Sequence, residues 1–204
     1  CIRDRFYAKS NILVIGPTGC GKTTSVLRII EEKLIEPMPD KIFYMYAAHQ
    51  PFMDEWNNSG SKPEIEFVRG VDLNLLENYE GSKLVVFDDL ILSISKEIAQ
   101  RFIAGSHHNN TTTILISHAI YLNNEHYRLM KKNTHYVLLF KDKRYLADVK
   151  RYAATNLCEN SHRLIEAYKY ISAFDFVLLS YENRIPEQLL VTADFFSKWL
   201  SVFL

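Results

Sequence analysis

The chain has 204 residues, 48% hydrophobic and 24% charged, with 24 basic and 24 acidic side chains. That is the profile of one ordinary soluble globular domain, long enough to bury a real core and in no need of a disulfide staple. Its three cysteines, Cys1, Cys20 and Cys158, form neither a C-x-x-C pair nor an even set, so a reducing intracellular compartment is expected.

In chain order, Asn11 to Ile15 reads as a strand and Thr23 to Leu34 as an amphipathic helix, with Val26, Leu27, Ile30 and Leu34 at helical spacing. Lys41 to Ala47 reads as a second strand, Phe52 to Asn58 as a helix, and Asn57 to Pro63 as a loop by composition. A short strand is expected at Ile65 to Val68, a buried strand at Lys83 to Phe87 and a helix at Ile94 to Ile103. A polar turn, His107 to Asn110, precedes another buried strand, Thr112 to Ser117. Strands alternating with helices imply an α/β domain with a parallel sheet wrapped by helices.

After about residue 133 the texture changes. Strand-like runs, Tyr136 to Phe140 and Phe176 to Ser180, flank one expected helix, Cys158 to Ser172. The expected organisation is one domain over 1–204, with a core at about 10–132 and a strand and helix extension at about 133–204. The tail FFSKWLSVFL reads as a packed terminal helix or, less favoured, a partner contact. A chain that begins at Cys1 and reaches a strand within about ten residues leaves open a missing N-terminal portion. No apolar run reaches the roughly 18 residues that span a bilayer and no signal peptide precedes the first strand, so a cytoplasmic or nuclear protein without a membrane partner is expected.

Charge is unevenly spread. Residues 31–82 carry eleven acids against four bases, whereas 128–151 carry eight bases (Arg128, Lys131, Lys132, Lys141, Lys143, Arg144, Lys150 and Arg151) against two acids. The second stretch fits a polyanion contact and fits equally a solvated hairpin surface.

The chemistry concentrates at Gly16-Pro17-Thr18-Gly19-Cys20-Gly21-Lys22-Thr23, which matches G-x-x-x-x-G-K-[ST] at every fixed position. A chance match in such a chain is on the order of one in a hundred, and the flanking strand and helix lower that further. The loop glycines let successive N–H groups converge on phosphate oxygens, and the following helix adds its positive end. Lys22 supplies a mobile charge for the β- and γ-phosphates, and the Thr23 hydroxyl is placed for Mg²⁺, with Thr24 beside it. Cys20 reads as a space-filling residue rather than a redox switch.

The second half is Leu84-Val85-Val86-Phe87-Asp88-Asp89, a buried strand ending in two acids. Asp88 is the candidate metal holder and Asp89 the candidate for orienting or deprotonating the attacking water. A turn or helix cap is the bland reading of that acid pair, and the matching loop upstream outweighs it. An acid directly after the metal-binding aspartate marks the P-loop NTPases that insert a strand between the loop strand and the second-motif strand, which by resemblance gives the order 5-1-4-3-2. The inserted strand is expected at Thr112 to Ser117, so Ser117 or His118 becomes a candidate γ-phosphate sensor.

The ordered set of segments resembles the genome-packaging ATPases of the FtsK–HerA superfamily, in particular the poxvirus-type branch of DNA viruses and Polinton-like elements. It comprises ILVIGPTGCGKTT, PDKIFYMYAAHQPFMDEW with its Gln50-Pro51 pair, IEFVRGV, KLVVFDDL, TTTILISHAIY, YRLMKKNTHYVLLFKDKR and a closing IEAYKYIS and FVLLSYE, over roughly residues 11–196. The resemblance implies ATP hydrolysis with Mg²⁺, coupled to moving double-stranded DNA through a ring of identical subunits, with a capsid or portal partner, in a host cell or associated with a virion. It also implies that Arg128 reaches a neighbour's γ-phosphate, an arrangement worth roughly 10³ to 10⁵ in rate in P-loop NTPases. The chain departs from the family pattern at Ser117-His118 and at Asp89, which stands where the wider superfamily has glutamate. A helicase or AAA-type ATPase, a small-molecule kinase and an inactive mobile-element relic are the competing readings.

Overall fold

The computed structural model describes residues 5–90, 93–108 and 110–204. The strands are β1 Phe6–Tyr7, β2 Asn11–Ile15, β3 Ile35–Glu36, β4 Lys41–Tyr46, β5 Glu66–Arg69, β6 Lys83–Asp88, β7 Thr111–Ser117, β8 Tyr136–Phe140, β9 Phe176–Ser180, β10 Val191–Ala193 and β11 Ser201–Val202. The helices are α1 Lys22–Glu31, α2 Phe52–Asn58, α3 Leu73–Glu77, α4 Lys96–His108, α5 Glu125–Lys132, α6 Leu146–Asn156 and α7 Ser161–Tyr170.

One nine-stranded sheet runs β11-β10-β9-β8-β2-β7-β6-β4-β5, and β1 pairs with β3 in a small second sheet. From β8 across to β5 every pairing is parallel. If β2, β4, β6, β7 and β8 are counted as strands one to five, their order is 5-1-4-3-2, as the paired acids imply. The sheet differs from that minimal core in carrying β5 beyond β4 on one edge and three antiparallel strands, β9 to β11, on the other.

The central strands carry continuous apolar runs because helices cover both their faces. Alternate residues divide between two cores. Ile12, Val14, Ile42, Tyr44, Leu84, Val86, Ile114 and Ile116 face α1 and α2, which bury Val26, Ile29, Ile30, Met53 and Trp56. Leu13, Ile15, Phe43, Met45, Val85, Phe87 and Leu115 face the opposite layer, where α4 to α7 bury Phe102, Tyr127, Met130, Tyr152, Leu164 and Tyr168.

Several expectations are corrected. Two helices, α6 and α7, stand between β8 and β9 where one was expected, so the basic stretch 128–151 is α5, β8 and α6 rather than a hairpin surface. The tail is no helix: Phe195 packs beneath the sheet and β11 pairs with β10. The expected turn at His107 to Asn110 begins too early, since α4 runs to His108; Asn109 lies outside the described residues. The change of texture at residue 133 is not a change of sheet, because β8 lies beside β2 and parallel to it.

Arg163 of α7 ties the added strands down. Its buried guanidinium donates to the carbonyls of Phe203, Glu187 and Gln188 and to Asn160 Oδ1. Arg163→Met leaves those carbonyls without their charged donor and is expected to lower stability by about 2–4 kcal/mol in urea unfolding.

Candidate active site

The parallel strands all end at one edge, and the loops leaving β2, β6 and β7 meet there. Ile15 pairs with Ser117, and Gly16 N–H donates to the Ser117 carbonyl at 3.2 Å, so the glycine-rich loop starts beside the end of β7. Gly16 admits no side chain, because a Cβ there would lie 2.6 Å from Cys20 Sγ and 2.6 Å from Phe140 Cβ. Gly21 opens α1 with φ at 97°, in the left-handed region where side chains are strained. Among the loop's other residues, Thr18, Gly19, Thr23 and Thr24 line the cleft, and Pro17 contributes its carbonyl.

Lys22 is 6% exposed and its ammonium donates to the carbonyls of Gly16 at 2.8 Å and Pro17 at 2.7 Å. Burial holds its pKa below the ordinary lysine value, against the opposing fields of Cys20, Asp89 and Asp88. Burial likewise pushes the Cys20 thiol up, which makes it a poor nucleophile and agrees with a space-filling role.

Asp88 ends β6 inside the protein. Tyr44, on β4 opposite Val86, donates its hydroxyl to Asp88 Oδ2 at 2.6 Å, and Thr23 Oγ1 lies 3.4 Å from the same oxygen. Burial raises the Asp88 pKa above the ordinary carboxylate range; the Tyr44 hydrogen bond opposes this, the Asp89 charge adds to it, and Thr23 and Lys22 oppose it. Burial and the Asp88 charge push the Tyr44 hydroxyl far up, so it stays a donor at all working pH. Thr23 and Asp88 offer hard oxygens at one point, the donor set Mg²⁺ takes when phosphates and waters complete its shell. No cluster of three or more His, Cys, Asp or Glu that could cage a metal is found among the described residues.

Asp89 turns away from Asp88 because its backbone is left-handed, with φ at 57°. Its carboxylate is in close contact with His118 Nε2, while His118 Nδ1 lies 3.4 Å from Lys22 Nζ. Lysine can only donate, so Nδ1 accepts and these partners assign the Nε2–H tautomer. His118 therefore links the loop lysine to the second acid. Its own carbonyl is held by the Tyr145 hydroxyl at 2.8 Å. Ser117, the other candidate sensor, is fully buried and spends its hydroxyl on the Ala119 carbonyl, so of the two only His118 lines the cleft.

Together Lys22, Thr23, Asp88, Asp89 and His118 surround a cleft of about 370 Å³. Arg128 is not among them. It lies exposed on α5, and its side chain makes no ion pair among the described residues. Sequence reasoning missed Tyr44, Tyr145 and Phe174 and quoted Gln50 only within a motif; Gln50 and Phe174 also line the cleft. The aromatic run Phe43 to Tyr46 was the available signal for Tyr44.

No protein-family model and no curated protein sequence matches this chain. Solved structures do match it. The DNA-packaging ATPase B204 of Sulfolobus turreted icosahedral virus aligns over 97% of this chain and 98% of its own, at 11% identity and a TM-score of 0.58. The fold is that of the P-loop NTPases. The genome-packaging NTPase B204 of Sulfolobus turreted icosahedral virus 2, solved with ATP-γS, aligns over 96% of both chains at 10% identity and a TM-score of 0.57. A KaiC-like protein of Pyrococcus horikoshii covers 97% of this chain and 90% of its own at 14% identity, with a TM-score of 0.50.

The raised Asp88 pKa has a measurable sign. A carboxyl group whose folded pKa exceeds its unfolded value contributes stability that is present below the unfolded pKa and lost as pH rises through the folded one. Asp88→Asn is therefore expected to raise the Tm of the ligand-free chain at pH 7, and the gain should close below about pH 4, the ordinary aspartate range. An equal or lower Tm at pH 7 contradicts the assignment.

Proposed function

We propose that this chain is an ATP-hydrolysing, DNA-translocating motor of the genome-packaging kind, acting as a ring of identical subunits. The observation that carries the hydrolase part is the convergence of Lys22, Thr23 and Asp88 with a second acid, Asp89, tied through His118 to the loop lysine. A kinase needs the cradle but not that second acid.

In this reading the phosphate loop and Lys22 hold the β- and γ-phosphates, with Lys22 leaving the Gly16 and Pro17 carbonyls for phosphate oxygens. Thr23 and Asp88 would hold Mg²⁺, which supplies positive charge against the phosphates when bound. Asp89 orients the attacking water and takes its proton. His118, between Asp89 and Lys22, senses whether the γ-phosphate is present.

The packaging part rests on the likeness to the B204 structures, which extends over nearly the whole of both chains, and on the ordered motifs. Arg128 stands outside its own cleft, so in this reading the nucleotide phosphate it reaches is a neighbouring copy's. Exposed Lys132 on the same helix, and exposed Lys150 and Arg151 on α6, suit a DNA backbone. No described helix is long and apolar enough to cross a membrane.

ATP turnover per subunit is expected to rise with protein concentration and with added double-stranded DNA, measured by phosphate release. Arg128→Ala should leave nucleotide affinity nearly unchanged while turnover falls at least a hundredfold, within the roughly 10³ to 10⁵ range of such arginines or just short of it. Turnover indifferent to concentration and DNA contradicts the motor reading, and parallel loss of binding and turnover contradicts the role of Arg128.

A further inference from the structure

The cleft has two ends, and the site described so far uses one of them. Along the sheet edge the order of strands is β9, β8, β2, β7 and β6. Asp88, Asp89 and His118 stand at the β6 and β7 end, where the terminal phosphate reacts. The phosphate loop occupies the middle at β2. The remainder of a nucleotide must leave past Gly21 and Thr24 toward β8 and β9.

There the cleft is lined by Phe174, in the turn 172–175 that joins α7 to β9. The Phe174 side chain is 70% exposed and belongs to neither core. Its backbone is left-handed, with φ at 68°, an uncommon conformation for a bulky residue that concentrates at ligand clamps and active sites. Its carbonyl lies 3.9 Å from where a Gly21 Cβ would stand, which places the turn against the start of α1.

The turn is also fixed. Lys141 N–H, just past β8, donates to the Asp175 carbonyl at 3.1 Å, and Asp175 N–H donates to the Ser172 carbonyl. The Lys141 ammonium ties in the last turn of α7 through the carbonyls of Tyr168 and Lys169. An exposed aromatic side chain thus sits on a fixed turn of strained backbone at one end of the cleft without contributing to the core.

Resting on the reading that the cleft takes a nucleoside triphosphate, we propose that Phe174 is the platform on which the base stacks. Every base presents a π-face, so stacking gives affinity without choosing among bases. The C-terminal extension then does more than lengthen the sheet: its turn 172–175 completes the nucleotide site.

The test is a titration of the full chain with ATP, GTP and inorganic tripolyphosphate, each with Mg²⁺. Phe174→Ala is expected to weaken ATP and GTP alike by roughly ten- to a hundredfold, the range of base–aromatic stacking. Tripolyphosphate, which has no base, should bind as before, and Phe174→Trp should restore the nucleotide affinities. Since Phe174 packs in neither core, the alanine variant is expected to fold. Unchanged ATP affinity in Phe174→Ala, or tripolyphosphate affinity falling in parallel, overturns the platform while leaving the cradle intact. An unaltered chain that binds none of the three ligands overturns the platform and the proposed function together.

Discussion

A full positive charge held 6% exposed, with no carboxylate in direct contact among the described residues, is the constraint on which the site depends. Among the described residues the Lys22 ammonium meets two carbonyls of its own loop and His118 Nδ1, with Asp88 and Asp89 acting on it from farther off, and burial lowers its pKa. Such a charge is costly to bury, and a neighbouring anion relieves the cost. In the proposed function the N–H groups of the loop and the start of α1 serve the same anion. A phosphate arriving there satisfies the lysine and the helix end together.

The sheet makes that possible by bringing three loops to one edge. Placing β7 between β2 and β6 separates the loop strand from the acidic strand by one strand's width, and the end of that inserted strand carries His118 into the gap. The left-handed turn at Asp89 then sends two consecutive carboxylates to different tasks. One goes inward to Tyr44 and Thr23, and the other goes outward to the histidine. Asp88 is the less comfortable of the two, buried beyond what its hydrogen bonds repay at neutral pH in the absence of a cation. In the proposed function a divalent cation at Asp88 would relieve that cost.

Much of the fold was legible because its central strands are buried on both faces and read as apolar runs, from NILVI to LVVFD and TTILIS. The phosphate loop and the acid pair are local in sequence and were legible with them. Tyr44 was not, because its reach to Asp88 depends on the register between β4 and β6, which no local pattern states. Helix α6 was hidden by its composition: only Val149, Tyr152 and Ala153 of LADVKRYAATN are buried, so a basic surface masked a short apolar stripe. The tail misled in the opposite way. FFSKWLSVFL is apolar enough for a helix, yet its shape is set by pairing with β10 and by a buried arginine from α7, both long-range effects. Phe174 is an ordinary aromatic in sequence and becomes notable only through its exposure and backbone.

The account stands or falls on whether the buried lysine exists for a phosphate. Calorimetric titration of the chain with a slowly hydrolysed ATP analogue, with and without Mg²⁺, tests this most directly when repeated on Lys22→Met, which keeps the length of the side chain and removes its charge. The account predicts Mg²⁺-enhanced binding by the unaltered chain and at least a hundredfold loss in the variant, or about 2.7 kcal/mol at 25 °C. Binding that is equal in the two proteins would contradict it.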